Sequence, residues 1–537
     1  MSSYWNPDDF YFSGHLREHG GVNLEDQSEF NDSDNSQFQL NELRTELLLE
    51  GRYDWSEEIS VKGTLRASRE ASLPYLEDLE DRGQLSGTTT GAGDLQEFYE
   101  EEQFRELFLD YEVSDGISFR AGKQFVSWGK GSFQRALDLV QGFDNSWNPY
   151  VTTEEQRRKS LTMLTGNVDV PAGNGNLEFV VYPGLDDVED IGNTDDLIGG
   201  RNAANGLRGF DLTDYPVSSI KSEFGSTVGP LLGDHPDADP EDLQGGIRWS
   251  GTLWRNRVEY SLVYLQTHQK EDVNSTRSTL TAGQAAVLNS TAGVPGLYSA
   301  GDPTGVSPYK GHHTSKWTER LHPEIQVFGG SANYYSTALG LVFRGEVAYV
   351  DDRVFNTLPP AGDMPGKPAG TPYPSAFVKD NLDITSAGVV QKDEVRMMLG
   401  MDRQAKFTRR WLSSDRPGFL TLELFDFWIP DHREADRIDL SKDRSEEAKE
   451  HSLEAITTLN WSYANRTIKP SVTGLFDLSY GGNTALLPGV EYVISNQWDV
   501  KLDGVFLFEA HNDGANIQSY GALGEGDKLV TTVTYQF

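Results

Sequence analysis

Short segments in which apolar and polar side chains alternate recur along this chain, and the clearest of them is the last. Within residues 529–537, one parity is mostly apolar or aromatic and comprises Leu529, Thr531, Val533, Tyr535 and Phe537. The other parity is mostly polar and comprises Val530, Thr532, Thr534 and Gln536. Because successive side chains of a strand point to opposite faces of the sheet, this alternation predicts a strand with one apolar and one polar face.

The same alternation recurs upstream, at residues 42–50, 59–67, 339–349 and 498–508. These segments are close to the about 9–11 residues that a tilted strand needs to cross a bilayer. They are longer than the about 5–6 residues of a common soluble strand. No run of about 18 apolar residues occurs, which excludes a transmembrane helix. The pattern therefore favours strands that span a membrane.

Aromatic side chains collect near the ends of these segments, where the girdles of a membrane barrel lie at the bilayer surfaces. Examples are Trp461, Tyr463, Tyr492, Trp498 and Phe508. The chain also ends on Phe537, two residues after Tyr535, and so resembles the C-terminal strand that barrel-assembly machinery recognises. A soluble edge strand could end in the same way, so this feature counts only together with the strand lengths and the girdles.

The connections between the segments alternate between short and long. Short ones lie at residues 51–57, 113–116, 171–176, 254–257, 333–337, 463–467 and 495–498. Long ones lie at residues 68–103, 129–157, 184–244, 267–318, 351–392, 430–450 and 510–527. Outer-membrane barrels have short periplasmic turns, long external loops and an even number of strands. Counting back from the terminal strand predicts one domain over residues 1–537, an all-β, antiparallel, up-and-down transmembrane barrel of about 18 strands, within roughly 16 to 20.

This topology also predicts where the protein is located in the cell and how it is oriented in the membrane. The protein is expected in a bacterial outer membrane, with outer-membrane lipid as a partner and both termini in the periplasm. Residues 184–244, 267–318 and 351–392 are then long extracellular loops. The chain begins Met1-Ser2-Ser3-Tyr4-Trp5, without a basic region followed by an apolar one. We therefore expect it to be the mature segment from which an export signal peptide has been removed.

The chain carries a net charge of −37, from 46 basic and 83 acidic residues. Phosphate would be repelled, so a nucleic-acid partner is not expected. The acidic residues either keep the external loops soluble or bind divalent cations. The candidates for calcium are Asp186, Asp187, Glu189 and Asp190, with a second acidic run at 234–242, and neither has the spacing of a calcium-loop motif. No cofactor is expected other than bound calcium, lipid or detergent.

A barrel of about 18 strands is too wide for its own side chains to fill, so its lumen must hold water, an inserted loop, or both. Charges on the inward parity fit this, because an Arg or Lys facing lipid would cost roughly 2–4 kcal/mol at mid-bilayer. The inward charges are Lys62, Arg66, Glu106, Asp110, Arg120, Arg248, Glu259, Arg344, Glu346, Glu394 and Arg396. They form structural ladders along the wall or line a selective path, and the sequence leaves both open.

Residues 104–149 combine a strand pair with an irregular region. Two alternating strands meet at a tight turn at 114–116, and residues 133–143 beyond them do not alternate, which predicts a short helix or a compact loop. An unpaired backbone cannot lie in lipid, so residues 129–157 are a candidate lumen-inserted loop that constricts the pore or is purely structural. The candidate pore residues are Arg120, Gln124, Trp128, Asp138 and Asp144, together with the wall charges Lys62, Arg66, Arg248, Arg344, Glu346 and Arg396.

This region resembles a family of proteobacterial outer-membrane barrels of unknown function. Its members share the motif G-[RK]-Q-x-x-x-W-G, matched here by Gly122-Lys123-Gln124 and Trp128-Gly129. A segment that usually reads D-x-x-N-P-x-D follows, matched by residues 138–144, with Gln141-Gly142 where the family usually has Asn-Pro. The chain is also distantly similar to alginate-export barrels. The resemblance implies a barrel over the whole chain.

The resemblance further implies transport of a hydrophobic or amphiphilic molecule. Genes of this family often lie beside an exporter of the resistance–nodulation–division (RND) superfamily and a lipoprotein-carrier-like periplasmic protein, which are the partners it implies. A conduit for such a compound is therefore the leading hypothesis. A water-filled porin, with acidic loops that favour cations, is the first alternative. A surface adhesion or assembly protein is the second.

An enzyme is not expected. The sequence contains no G-x-S-x-G, H-E-x-x-H or P-loop motif. His312, His313 and His322 are too loosely spaced to predict a metal site.

Overall fold

In the computed structural model, eighteen antiparallel strands form one sheet that closes on itself. The first strand, β1 (Phe10–Asn23), pairs with β2 (Leu40–Asp54) and with the last strand, β20 (Lys528–Gln536). The predicted fold class and strand number are confirmed. The structure describes residues 10–27, 36–81, 95–186, 188–194, 200–202, 243–254, 257–271, 273–276, 318–357, 388–436, 438, 448–480, 482–508 and 526–537.

The other barrel strands pair with their neighbours along the chain, except that β9 (Val258–His268) pairs with β12 (Glu324–Ser336) across a long connection. They are β3 (Ile59–Glu70), β4 (Glu101–Ser114), β5 (Ile117–Gln124), β6 (Leu161–Val170), β7 (Gly175–Tyr182), β8 (Gln244–Leu253), β9 (Val258–His268), β12 (Glu324–Ser336), β13 (Leu341–Thr357), β14 (Gly388–Ala405), β15 (Gly418–Trp428), β16 (His451–Asn460), β17 (Ile468–Asp477), β18 (Thr484–Val493) and β19 (Trp498–Phe508). Within the long connection, β10 (Val273–Thr276) and β11 (Thr318–Leu321) form a separate two-stranded sheet.

The helices are short and lie in the connections. They are α1 (Pro74–Asp81), α2 (Leu95–Phe98), α3 (Glu154–Arg157), α4 (Val188–Ile191) and α5 (Lys406–Trp411), with 3₁₀ turns at Pro171–Gly173 and Glu434–Asp436. Within the described ranges, no helix has the length and apolar character that a membrane-spanning helix requires.

The barrel closes where the two ends of the chain meet. β1 and β20 stay in register from the pair His15 and Gln536 to the pair Asn23 and Lys528. Next to this ladder, Gly14 and Phe537 exchange two backbone hydrogen bonds of 3.0 Å. The terminal strand that the alternation predicts is therefore the strand that removes the open edge of the sheet.

Short turns lie at one end of the barrel and long connections at the other. At the short-turn end, residues 115–116 join β4 to β5 and residues 494–497 join β18 to β19. At the long-loop end, residues 71–100 join β3 to β4. Residues 406–417, which contain α5, are an exception that the sequence analysis did not predict, because they form an elaborate connection at the short-turn end.

The two faces of the strands follow the predicted parity. Leu262 and Leu399 are more than half exposed on the outer face, as a lipid-facing side chain must be once the lipid is absent. Their neighbours Val263 and Met398 are almost fully buried on the inner face. The outer face is thus apolar. A water-filled lumen would leave the inner side chains exposed, so their burial shows that another segment of the chain covers them.

The cover is the connection between β5 and β6, residues 125–160, which we call the plug. Leu137, Leu139 and Val140 of the plug pack with inward apolar residues of β6, β7, β9, β12 and β13. Ala136 and Phe133 pack with inward residues of β14 to β19. One segment can contact all these strands only from inside the barrel. Residues 133–143 contain no helix and form the compact loop, which was one of the two predicted alternatives.

Gly122, the first residue of the motif, has a backbone angle φ of +134°. A Cβ atom there would lie 2.2 Å from the carbonyl oxygen of Leu107 on β4. We predict that Gly122→Ala destabilises the barrel by about 1–3 kcal/mol or more, because it adds backbone strain and a steric clash. Urea unfolding in lipid vesicles measures this. Gly63→Ala on β3 is the control, since its nearest contact would be 3.6 Å, and an equal loss in both variants would contradict the prediction.

Candidate functional site

The plug leaves the wall at Gln124, the third residue of the motif. The Gln124 side chain donates to the Met163 carbonyl of β6 at 2.9 Å and accepts from the Thr165 hydroxyl at 3.2 Å. The Gln141 side chain accepts from the Val126 N–H at 2.8 Å and donates to the Gln124 carbonyl at 2.9 Å. Gln141 therefore folds the plug back onto the end of β5.

Asp138 is the central polar group of the plug. Its carboxylate accepts from the Trp128 N–H at 3.2 Å, the Ser127 hydroxyl at 3.3 Å and the Arg158 guanidinium at 2.6 Å. The Asp138 and Arg158 side chains are both nearly fully buried. Gly129 is required beside them, because a Cβ atom there would lie 2.7 Å from that of Asp138. Trp128, Gly129 and Asp138 thus form one structural unit.

Two predicted wall charges on β13 bind the plug. Glu346 accepts from the backbone N–H groups of Lys130 and Leu137, the latter at 3.2 Å. Arg344 donates to the Lys130 carbonyl and forms an ion pair with Asp402 at 2.8 Å. These contacts satisfy plug backbone that has no strand partner.

Arg248 of β8, three strands away from β13, also contacts the plug and donates to the Ser127 carbonyl at 3.3 Å. It forms an ion pair with Glu178 at 2.6 Å, and Glu178 also accepts from the indole N–H of Trp128 at 3.2 Å. Arg396 lies farther along the wall, paired with Glu394 at 2.6 Å and with Glu271 at 3.4 Å. Arg248, Arg344 and Glu346 therefore have structural contacts in this state, whereas Arg396 belongs to a separate ion-pair network.

The wall made by β2, β3 and β4 grips the end of the plug through arginines. The guanidinium groups of Arg44 and Arg66 each lie over the indole ring of Trp147, 4.2 and 4.3 Å from its centroid. Arg105 donates to the carbonyls of Glu155 and Arg158, each at 2.7 Å. A cation–π contact with a buried indole ring is favourable for desolvated guanidinium groups. Alternation placed Arg44 on the inward face, but nothing in the sequence indicated that Arg44, Arg105 and Trp147 join the plug to the wall.

Residues 200–202, which we call the latch, enter this region from the β7–β8 connection. Arg201 is buried and forms ion pairs with Glu70 at 2.8 Å and Glu42 at 3.7 Å. Arg44 shares Glu70 at 3.2 Å. The latch also contacts the plug, since the Asn202 amide donates to the Ser146 carbonyl at 3.1 Å. No pattern in the sequence around Arg201 indicated this role.

A cavity of about 690 Å³ lies between the plug and the wall of β1 to β5, on the short-turn side of the latch. Its lining is mostly polar and includes Arg17, Glu46, Lys62, Arg66, Glu106 and Arg120. A smaller space of about 220 Å³ adjoins Arg120 and is lined by Gln124, Trp128 and Glu178. Three of the predicted pore residues, Lys62, Arg66 and Arg120, therefore line the same free space.

The charges around the larger cavity occur in pairs of opposite sign. Arg17 contacts Glu46 at 3.3 Å, and Lys62 contacts Glu106 at 3.2 Å. Arg120 contacts Asp110 at 2.6 Å. A wall of paired charges holds water and offers both donors and acceptors to a polar solute.

Asp144 does not line the cavity space described above. Its carboxylate accepts from the N–H and the hydroxyl of Ser146, at 3.0 and 2.6 Å, and so shapes a turn inside the plug. Arg157 of the plug is buried as well, and this burial is the main cause that lowers the pKa of its guanidinium below the ordinary value. Its guanidinium donates to the Asn145 side chain at 2.8 Å.

The predicted calcium run does not form a common site among its described residues. The Asp186 carboxylate accepts from the N–H and hydroxyl of Thr162, at 2.8 and 3.1 Å, and burial raises its pKa. Asp190 lies 3.6 Å from Lys123. Asp187, the side chain of Glu189 and the run at 234–242 lie outside the described residues.

A different acidic cluster occurs at the long-loop ends of β13 and β14. Carboxylate oxygens of Asp351, Asp352 and Asp393 lie within 4.8 Å of one another. The Tyr349 hydroxyl donates to Asp393 at 2.6 Å, which already satisfies part of the charge. The sequence alone did not indicate this cluster, because Asp393 is 41 residues away from Asp352 and strand pairing brings them together.

We predict that Asp138→Asn loosens the plug by about 3–5 kcal/mol, because it leaves the buried Arg158 without its main counter-charge. Hydrogen exchange of the plug amides should rise while exchange of the barrel strands stays low. The matched control is Asp110→Asn, whose pair with Arg120 is more than a third exposed and should contribute less than about 1 kcal/mol. Equal exchange in the two variants would show that Asp138 does not hold the plug.

Comparisons with known proteins place the chain in a family. It aligns with OccAB2 of Acinetobacter baumannii at 7% identity, covering 100% of this chain and 99% of that one, with a TM-score of 0.45. It aligns with OccK2 of Pseudomonas aeruginosa, solved in complex with glucuronate, at 9% identity, covering 99% and 98%, with a TM-score of 0.44. No curated protein matches. The model of a family described as "Protein of unknown function (DUF1302)" matches residues 23–537, and the chain belongs to that family.

Proposed function

We propose that this protein is an outer-membrane channel for small polar solutes, with its long loops outside and both termini in the periplasm. The observation that carries the proposal is the cavity of about 690 Å³ lined by paired charges. A barrel of this strand number has a lumen that its side chains cannot fill. The plug occupies the part beside β6 to β19, and the free space follows the charged wall of β1 to β5.

The chemistry of that wall favours polar solutes over hydrophobic ones. A hydrophobic molecule in the cavity would displace water from Lys62, Glu106 and Arg120 without replacing their hydrogen bonds. A small solute with donors and acceptors would replace them. The opposite charges are nearly balanced around the cavity, so the proposal does not assign a preferred sign of charge to the solute.

The latch is proposed to close this path on the extracellular side. Arg201 lies above the cavity in a buried network with Glu42, Glu70 and Arg44. Withdrawal of the latch would separate these pairs and hydrate them, so the closed state is favoured without a solute. Glu70 still pairs with Arg44 after Arg201 leaves. Because its carboxylate is not left without a counter-charge, the free energy needed to open the latch is limited.

A conduit for an amphiphilic compound is the second candidate, and one observation favours it. The wall behind the plug is apolar, and comprises Val263, Leu265, Ile325, Val327, Ala348 and Val350. If the plug moved away, an apolar strip would lie opposite the charged wall, as an amphiphile requires. The RND exporter and periplasmic carrier that the family resemblance implies belong to this candidate, in which accumulation of a lipid-like compound is expected in a deletion strain.

We predict that Arg201→Gln raises the open probability in planar bilayers by about tenfold or more, because breaking a buried ion pair costs several times the energy of a tenfold population shift. Arg433→Gln is the control, since its pair with Asp431 is mostly exposed at the same end of the barrel. Single-channel recording gives the open probability of each protein.

Vesicle swelling then tests the solute class. Vesicles that contain Arg201→Gln should take up small sugars and amino acids faster than control vesicles, while uptake of a fluorescent amphiphile should be unchanged. Faster uptake of the amphiphile alone would overturn the polar channel and favour the second candidate. No conductance in any variant would contradict both the latch and the channel.

A further inference from the structure

The connection between β14 and β15, residues 406–417, is a structured surface at the short-turn end, which we call the basic turn. Thr408 is buried within it and ties α5 to the strands. Its hydroxyl donates to the Ala405 carbonyl at 2.9 Å and accepts from the Gly418 N–H at 2.7 Å. These hydrogen bonds therefore fix the conformation of the basic turn relative to the ends of β14 and β15.

A neighbouring turn supports the basic turn from the side. The Tyr463 hydroxyl donates to the Leu412 carbonyl at 2.8 Å. The Asp415 carboxylate accepts from the Asn465 N–H at 2.6 Å, and the Asp415 N–H donates to the Ser462 carbonyl at 2.9 Å. Asp415, the one acidic residue of the basic turn, is thus bound to backbone and faces the neighbouring turn.

The charge of the basic turn is opposite to that of the chain. It contains four exposed basic residues, Lys406, Arg409, Arg410 and Arg416, in a protein with 46 basic and 83 acidic residues. Among the described residues, none of these four has a carboxylate within ion-pair distance. Lumen-facing cations at the same end behave differently, since Arg52 pairs with Asp54 at 2.7 Å and Lys469 with Glu491 at 2.6 Å.

Aromatic and aliphatic groups accompany these cations. Trp411 is 73% exposed, and its ring lies 5.7 Å from that of Phe407. Leu412 is also exposed, and Leu422 and Leu424 are exposed on the lipid-facing side of β15, the strand that follows the basic turn. Exposed Trp beside Arg and Lys at the end of a lipid-facing strand is the composition of a membrane–water interface.

We propose that the basic turn binds the headgroups of anionic phospholipids in the leaflet at the short-turn end. The guanidinium groups of Arg409 and Arg410 would contact the phosphates, and Trp411 would insert at the level of the glycerol backbone. In the orientation proposed above this is the periplasmic leaflet. The charge of the turn complements an anionic surface, while the rest of this acidic chain would be repelled by it.

Native mass spectrometry of the purified full-length barrel tests this, with phosphatidylglycerol and phosphatidylcholine as the probe lipids. Wild-type protein should bind phosphatidylglycerol about tenfold more tightly or better, since each basic residue near an anionic surface adds a several-fold preference. The double variant Arg409→Gln, Arg410→Gln should lose most of that preference. The charge-matched control Arg52→Gln, Lys469→Gln should keep it.

Folding is checked by heat-modifiable migration in gels, and the variant Arg409→Lys, Arg410→Lys supplies a second measurement. It keeps the charge and should keep the preference for the anionic lipid. Equal binding of the two lipids by wild type would overturn the proposal. An acidic protein would then be the alternative partner of the basic turn. An equal loss in the control variant would also overturn it. Conductance is a separate readout, so this proposal can fail while the channel stands.

Discussion

The constraint on which the whole structure depends is that every backbone N–H and C=O in the membrane must find a partner within the chain. The chain meets it by pairing β1 with β20, so that Gly14 and Phe537 complete the ladder that eighteen strands share. Closure at this strand number creates a lumen wider than side chains can fill. The plug, the latch and the cavity are all consequences of that width.

The same constraint explains the use of charge inside the barrel. The plug has few strand partners, and its backbone is satisfied instead by wall residues such as Glu346, Arg344 and Arg105. Charges that the plug does not reach pair with one another and surround the cavity. The inward side chains that bind the plug thus hold it in the lumen, while the inward charges that pair with one another line the cavity beside it. At the short-turn end, the exposed cations of the basic turn have no carboxylate partner among the described residues, and we propose that anionic lipid supplies their counter-charge.

The sequence could predict the elements that depend on local periodicity. Alternation in residues 529–537 and 498–508 revealed strands, their faces and the parity of the connections. It could not predict which inward charges meet the plug, because Glu346 and Leu137 are brought together only by closure. The latch was equally hidden, since Arg201 follows no periodic pattern and its partners Glu42 and Glu70 are distant in the chain. Residues 406–417 were missed because α5 is too short to show helical periodicity.

The central claim is that solutes pass beside the plug and that the latch controls this path. The chain has no cysteine, so a pair can be introduced at Ser146 and Asn202, where the latch contacts the plug. The most direct measurement is the single-channel current of the Ser146→Cys, Asn202→Cys protein before and after a short thiol crosslinker joins the two positions. Crosslinking is expected to abolish the current, and cleavage of the linker is expected to restore it. The same current in the crosslinked and free states would contradict control of the path by the latch.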